Sequence, residues 1–137
     1  MVRLTFDFPI GLPAGPALSI INLHTSADVS NAFTYAVEPD GVTLKATETG
    51  PVLTNQNWYR LTPGAGLDVQ PFVLDLCALQ GDSDDTGQVL AQDYFPLKNN
   101  LFLVTDARMD LDGNGQVLAQ DYFVVKNHLF HAKPPKP

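Results

Sequence analysis

Val2, Leu4, Phe6 and Phe8 alternate with Arg3, Thr5 and Asp7 at the start of the chain. Strict alternation of this kind is that of a half-buried β-strand, with one face apolar and the other wet. Further β-like runs follow at Leu18–His24, Ala32–Val37, Val42–Thr47, Trp58–Leu61 and Val69–Leu76. Between them lie turn formers, Pro39-Asp40-Gly41, Gly50-Pro51 and Pro63-Gly64, whose fixed or permissive φ angles reverse the chain. Six short strands so spaced predict an all-β antiparallel sandwich over residues 1–79, where about seven strands make a complete one. Trp58 and Tyr59 are expected in its core.

The pattern changes after Leu76. Eight of the fifteen acidic residues fall between Asp82 and Asp121, so the acid is concentrated in the second half. That half also repeats itself: GQVLAQDYF occurs at Gly87–Phe95 and again at Gly115–Phe123, an offset of 115 − 87 = 28 residues. Extended backwards, the copies become two twelve-residue loops, Asp82 to Asp93 and Asp110 to Asp121. Oxygen-bearing side chains stand at positions 1, 3, 5 and 12 of each: Asp82, Asp84, Thr86 and Asp93, then Asp110, Asp112, Asn114 and Asp121. Glycine occupies position 6, as Gly87 and Gly115, where a sharp backbone turn is needed. The carbonyls of Gln88 and Gln116 at position 7 add one ligand each. A hard cation such as Ca²⁺ takes six to eight oxygens, and this spacing wraps them around one point. Two Ca²⁺ ions are therefore expected. Val89 and Val117 at position 8 are expected to pair the two loops through a short strand-like contact.

Three carboxylates converge on each site, so an ion-free loop repels itself. Two Ca²⁺ would bring the formal net charge from −7 to −7 + 4 = −3, and folding of this half is expected to depend on metal. The residues that lead into the first loop, VQPFVLDLCALQ, read as strand, and LVTDARM before the second is too short for a firm helix. Each loop is followed by a helix, with apolar residues at helical spacing such as Phe123, Leu129 and Phe130. Pro96 lies within the first of these and is expected to disturb it. The second copy, with Val124 at that place, is expected to form the better helix.

A duplicated loop-helix half-hand, closed by aspartate and followed by lysine five residues on, resembles the dockerin family. GDSDDTGQVLAQDYFPLKNNLF and MDLDGNGQVLAQDYFVVKNHLF carry the pattern, with Met109 in the second copy where the family's leading glycine stands. The resemblance implies a small α domain of two EF-hand-like loop-helix motifs over residues 80–131, stabilised by calcium. It implies a cohesin-like partner on another protein, and hence an extracellular or cell-surface complex. The partner-facing positions it implies are Ala91, Gln92, Lys98 and Asn99, and Ala119, Gln120, Lys126 and Asn127. Alanine at 91 and 119 departs from the hydroxyl that many dockerins carry there. The connector between copies is shorter than usual, which implies loss of a small middle helix. Upstream, LTPGAGLDVQPFVLDL resembles the Pro-Gly turn and following strand of fibronectin type III and bacterial Ig-like modules, and a β-module before a dockerin resembles X-module pairs.

The remaining composition narrows the function. A net charge of −7 disfavours nucleic acid, whose phosphates need clustered Lys and Arg. No apolar run approaches the roughly 20 residues of a membrane span, and Asp7, Pro9 and Pro13 break any signal-peptide core at the start. Cys77 is alone, so an internal disulfide is excluded and a half-buried small hydrophobe is expected. There is no G-x-S-x-G, no H-E-x-x-H and no phosphate loop, and the aspartates are accounted for as metal ligands, so no catalysis is expected. The pair His128 and His131 lacks helper ligands. Residues 132–137 are expected to be a flexible tail, and the chain a monomer on its own. Two further readings remain: a calcium-stabilised cap of a larger secreted protein without an external partner, and a sugar-binding sandwich using Trp58 and Tyr59.

Overall fold

The computed structural model describes residues 1–103, 109–112 and 114–137. The chain divides into two units, Met1–Leu76 with Lys136–Pro137, and Cys77–Pro135. In the first, six strands form in the expected order: β1 Val2–Thr5, β2 Leu18–Asn22, β3 Phe33–Val37, β4 Thr43–Glu48, β5 Asn57–Pro63 and β6 Leu74–Ala78. They make two three-stranded sheets, β1-β4-β3 and β2-β5-β6. The β1–β4, β3–β4 and β2–β5 pairs are antiparallel.

Registers follow the period-two pattern. Leu4 faces Leu44 and Tyr35 faces Ala46 in the first sheet, while Ile20 faces Leu61 in the second. Leu18, Ile20, Leu44, Ala46, Tyr59 and Leu61 are buried, so each sheet hides one face. The Tyr35 hydroxyl on β3 donates to the Ser30 carbonyl at 2.9 Å and lies 3.3 Å from the Leu18 carbonyl on β2. That hydroxyl links the two sheets within the core. Tyr59 is fully buried, and its oxygen accepts from the Thr54 N–H at 2.7 Å. Trp58, one residue earlier, faces the other side of β5 and is only half-buried.

Two strands are shorter than their hydrophobic pattern. β1 stops at Thr5, although the Phe6 N–H still reaches the Val42 carbonyl at 3.0 Å. β6 begins at Leu74 rather than at Val69, because Pro71 has no N–H to give a ladder.

The second unit is built on two short helices. The first copy runs through a 3-10 turn at Ala91–Asp93 into α1, Tyr94–Asn99. The second forms one continuous α2, Ala119–His128. The repeat strings are identical up to Phe95 and Phe123, and Pro96 is the first difference after them. Pro96 cannot donate to the Gln92 carbonyl, so the first turn of copy one tightens and the α-helix starts later. Val89, Leu97, Met109, Val117 and Val125 form the buried centre, flanked by Leu79, Tyr94, Leu111, Tyr122 and Leu129. Three pairs in that set are repeat equivalents: Val89 with Val117, Leu97 with Val125, and Tyr94 with Tyr122. The last pair stacks on itself, with ring centroids 5.6 Å apart and planes inclined by 24°.

The outward side of α2 is aromatic. Phe123 and Phe130 are 58% and 83% exposed, not core residues. At about 100° per residue, Tyr122, Val125 and Leu129 share the inner face, which leaves Phe123 outside. Phe130 lies past the helix end with φ of 69°, as does its equivalent Phe102 with φ of 65°. The segment before the second loop, LVTDARM, and the shortened connector fall mostly on residues 104–108, outside the described residues. The segment after Phe130 is not a free tail. Lys133 donates its N–H to the Gly87 carbonyl at 2.9 Å, and Ala132 bridges Gln88. Lys136, in the first unit, donates to Asp75 at 2.9 Å.

Candidate metal centres

Each twelve-residue loop folds its acids onto one point. Asp82, Asp84 and Asp93 bring one carboxylate oxygen each to within 4.8 Å of one another, and Asp110, Asp112 and Asp121 do the same. In both clusters the three residues grade from half-buried through exposed to buried. Either group could hold a metal ion.

The closing aspartates knit the loops. Asp93 Oδ1 accepts the N–H groups of Ser83 at 2.7 Å and Asp84 at 3.3 Å, and its Oδ2 accepts that of Leu90 at 2.8 Å. Asp121 repeats this with Leu111 at 2.6 Å, Asp112 at 3.1 Å and Leu118 at 2.8 Å. Both aspartates are 0% exposed. One carboxylate thus joins the start of the loop to its end and caps the helix that follows.

Position 1 is held from the turn. Gly87 and Gly115 direct their N–H groups at Asp82 Oδ2 at 2.9 Å and Asp110 Oδ2 at 2.8 Å. Their φ angles, 85° and 95°, are open to glycine and strained for other residues. Nothing lies within 4 Å of where a Gly115 Cβ would stand, so Gly115→Ala tests conformation alone. We expect it to cost roughly 1–2 kcal/mol of stability, read as a lower melting temperature; an unchanged melt would show that the left-handed turn is not required.

The donor set suits a hard cation. Asp82 Oδ1 accepts from the Thr86 N–H at 3.0 Å, whereas Asp110 Oδ1 is buried and without a hydrogen-bond partner among the described residues. A buried carboxylate oxygen left bare is costly, and a cation at the centre of the cluster is the partner its chemistry calls for. Burial pushes the Asp82 carboxyl above its usual range, against the hydrogen bonds from Gly87 and Thr86 that lower it, with the charge of Asp93 adding to the rise. An ion held there would offset both the burial and the repulsion.

The remaining expected ligands lie beside the carboxylates. Thr86 shares its N–H between Asp82 and Asp84, and its hydroxyl donates to the Gln88 carbonyl at 3.3 Å. Asn114 turns Nδ2 to Asp112 Oδ2 at 2.8 Å, and its Oδ1 accepts from the Gln116 N–H at 3.0 Å. Thr86, Gln88, Asn114 and Gln116 are all exposed.

The position-8 valines differ from expectation. Both side chains are buried in one cluster, yet their main chains do not pair with each other. Val89 bonds instead to Phe130 and His131, and Val117 to Phe102 and Leu103. The side chains fill the shared core, so the strand-like contact of each loop passes to the segment after the opposite helix.

The expected partner-facing residues are all exposed: Ala91, Gln92, Lys98 and Asn99, and Ala119, Gln120, Lys126 and Asn127. Four phenylalanines are exposed as well, Phe95 and Phe102 at 63% and 77%, and Phe123 and Phe130. Phe95 and Phe123 stand three residues before Lys98 and Lys126, and that helical spacing was the available signal. No family model, curated protein or solved structure matches this chain.

Proposed function

We propose that the second unit is a calcium-dependent protein-docking module of dockerin type, which tethers its host to a cohesin-like partner in an extracellular or cell-surface complex. The observation that carries this reading is the duplication of both parts of such a device. Two oxygen-only clusters repeat with the same burial and the same hydrogen bonds to the closing aspartate. Each is accompanied along the chain by the same exposed series: alanine, glutamine, phenylalanine, lysine, asparagine, phenylalanine. A solvated helix has no need of two large aromatic residues at such exposure. Aromatic residues beside a single lysine are what a protein contact uses as anchors.

In this reading Asp82, Asp84, Thr86, Gln88 and Asp93 hold one Ca²⁺, and Asp110, Asp112, Asn114, Gln116 and Asp121 the other. The ions neutralise the converging carboxylates and so fix the loops that present the helices. The protein is not an enzyme in this reading.

The test is calorimetric titration against a panel of cohesin modules, in Ca²⁺ and in chelator. Binding is expected only in Ca²⁺. Replacing Lys126 and Asn127 together by alanine is expected to weaken it by about tenfold or more. Absence of binding to every cohesin, with both ions demonstrably bound, would sink the docking reading and leave a calcium-stabilised cap.

A further inference from the structure

The main-chain partners of Val89 and Val117 imply that the two cation sites are not independent. In the first loop the Val89 N–H donates to the His131 carbonyl at 2.8 Å, and the Phe130 N–H returns to the Val89 carbonyl at 2.7 Å. In the second, the Val117 N–H reaches the Leu103 carbonyl at 3.3 Å, and the Phe102 N–H returns to Val117 at 2.9 Å. Residues 102 and 103 are 28 positions before 130 and 131, so the two pairings are repeat equivalents. They are also crossed: the segment after α2 serves the first loop, and the segment after α1 serves the second.

What each segment pins is the peptide that carries a ligand. The Gln88 carbonyl and the Val89 N–H belong to one planar trans unit and point in opposite directions. Fixing the N–H on His131 therefore aims the carbonyl away from that strand, to the side where Thr86 Oγ1 donates to it. The Gln116–Val117 peptide is held in the same manner by Leu103. The first loop carries one bond more, from the Lys133 N–H to the Gly87 carbonyl at 2.9 Å. The Lys133 side chain runs past Gly87, with Nζ 3.6 Å from Asp85 Oδ1.

We propose that these two segments are positioning straps for the cation of the opposite repeat, so that the sites bind ions as a coupled pair. The inference rests on the calcium reading above. An ion in the first loop orders the helix that ends in the strap of the second, and the second returns the effect. By linkage the coupling is reciprocal.

The test uses the full chain, with the Gly87 and Gly115 amide resonances as separate reporters, since each N–H bonds the position-1 aspartate of its own loop. Free Ca²⁺ is set with a chelator buffer. Lys133→Pro removes the N–H and the charge, and Lys133→Met removes the charge alone. Relative to Lys133→Met, Lys133→Pro is expected to need about fivefold to tenfold more Ca²⁺ to half-fill the first site, the fold-change of one backbone hydrogen bond. Asp84→Ala, which disables the first site at an exposed ligand, is expected to weaken the second by about fivefold or more. If Lys133→Pro titrates like Lys133→Met, or Gly115 responds in Asp84→Ala as in the unaltered chain, the proposal is overturned. If neither glycine shifts with Ca²⁺ in the unaltered chain, the calcium reading itself fails.

Discussion

Chelating calcium is expected to unfold the second unit and leave the first intact. Three carboxylates whose oxygens lie within 4.8 Å repel by about 3–4 kcal/mol per pair at an effective dielectric of roughly 20. The hydrogen bonds from the loop amides offset only part of this. A domain of about 60 residues, the size of Cys77–Pro135, has a net stability of roughly 3–9 kcal/mol. At free Ca²⁺ about 100 times the dissociation constant, each site contributes about 2.7 kcal/mol, or about 5.4 kcal/mol for two. The ions thus supply an amount comparable with the whole stability of the unit. Circular dichroism should lose its helical signal in chelator and regain it when Ca²⁺ is restored. The corresponding melting transition should move by more than about 20 °C, at 4–8 °C per kcal/mol for so small a domain. Mg²⁺ should restore less, because it demands a smaller octahedral shell and sheds water reluctantly. The β-unit binds no ion in this scheme, so its transition should stay where it is. A melt that is the same in chelator and in Ca²⁺ would end the metal-dependent account.

Much of this architecture is legible in the sequence because its causes are local. The strands of the first unit follow from alternation, since Leu18, Ile20, Leu44, Ala46 and Leu61 each sit in period-two runs and each is buried. The loop carboxylates were readable for the same reason: ligand spacing within twelve residues is fixed by a turn at one glycine. Where the reading failed, the deciding contacts are distant in sequence. Phe123 and Phe130 are apolar at helical spacing, but spacing does not say which of two faces meets the core. The Tyr94–Tyr122 stack and the burial of Val125 decide that. The valines at position 8 were assigned to each other because both are apolar and equivalent. Their main-chain partners lie at 102–103 and 130–131, and nothing in those residues marks them as strand. Residues 132–137 look like a tail by composition, yet backbone bonds of Phe130, His131 and Lys133 to the first loop fasten its start.

The largest single-residue effect is expected at Asp121. Its carboxylate is fully buried, accepts three backbone N–H groups and stands in the second cluster. Asp121→Ala would strand those donors at about 1–3 kcal/mol each where they are buried, and would forfeit the roughly 2.7 kcal/mol supplied by the ion. Even with the donors at Leu111, Asp112 and Leu118 only partly shielded, the sum matches or exceeds the stability of the unit. The second unit should therefore stay unfolded at saturating Ca²⁺, with the helical signal absent and the β-unit transition retained. Asp84→Ala removes a ligand from the other loop, but Asp84 is exposed and its Oδ1 accepts one exposed N–H, that of Thr86. It should lower the melting temperature and the Ca²⁺ affinity without abolishing the fold. The contrast separates two duties that coincide at position 12, ligating the ion and closing the loop. Asp121→Asn divides them further: one amide oxygen can still accept from Leu111 and Asp112, while the NH₂ group opposes the Leu118 N–H. That variant should fall between the other two. Were Asp121→Ala no worse than Asp84→Ala, the buried carboxylate would be a ligand only, and the fold of the loop would owe nothing to it.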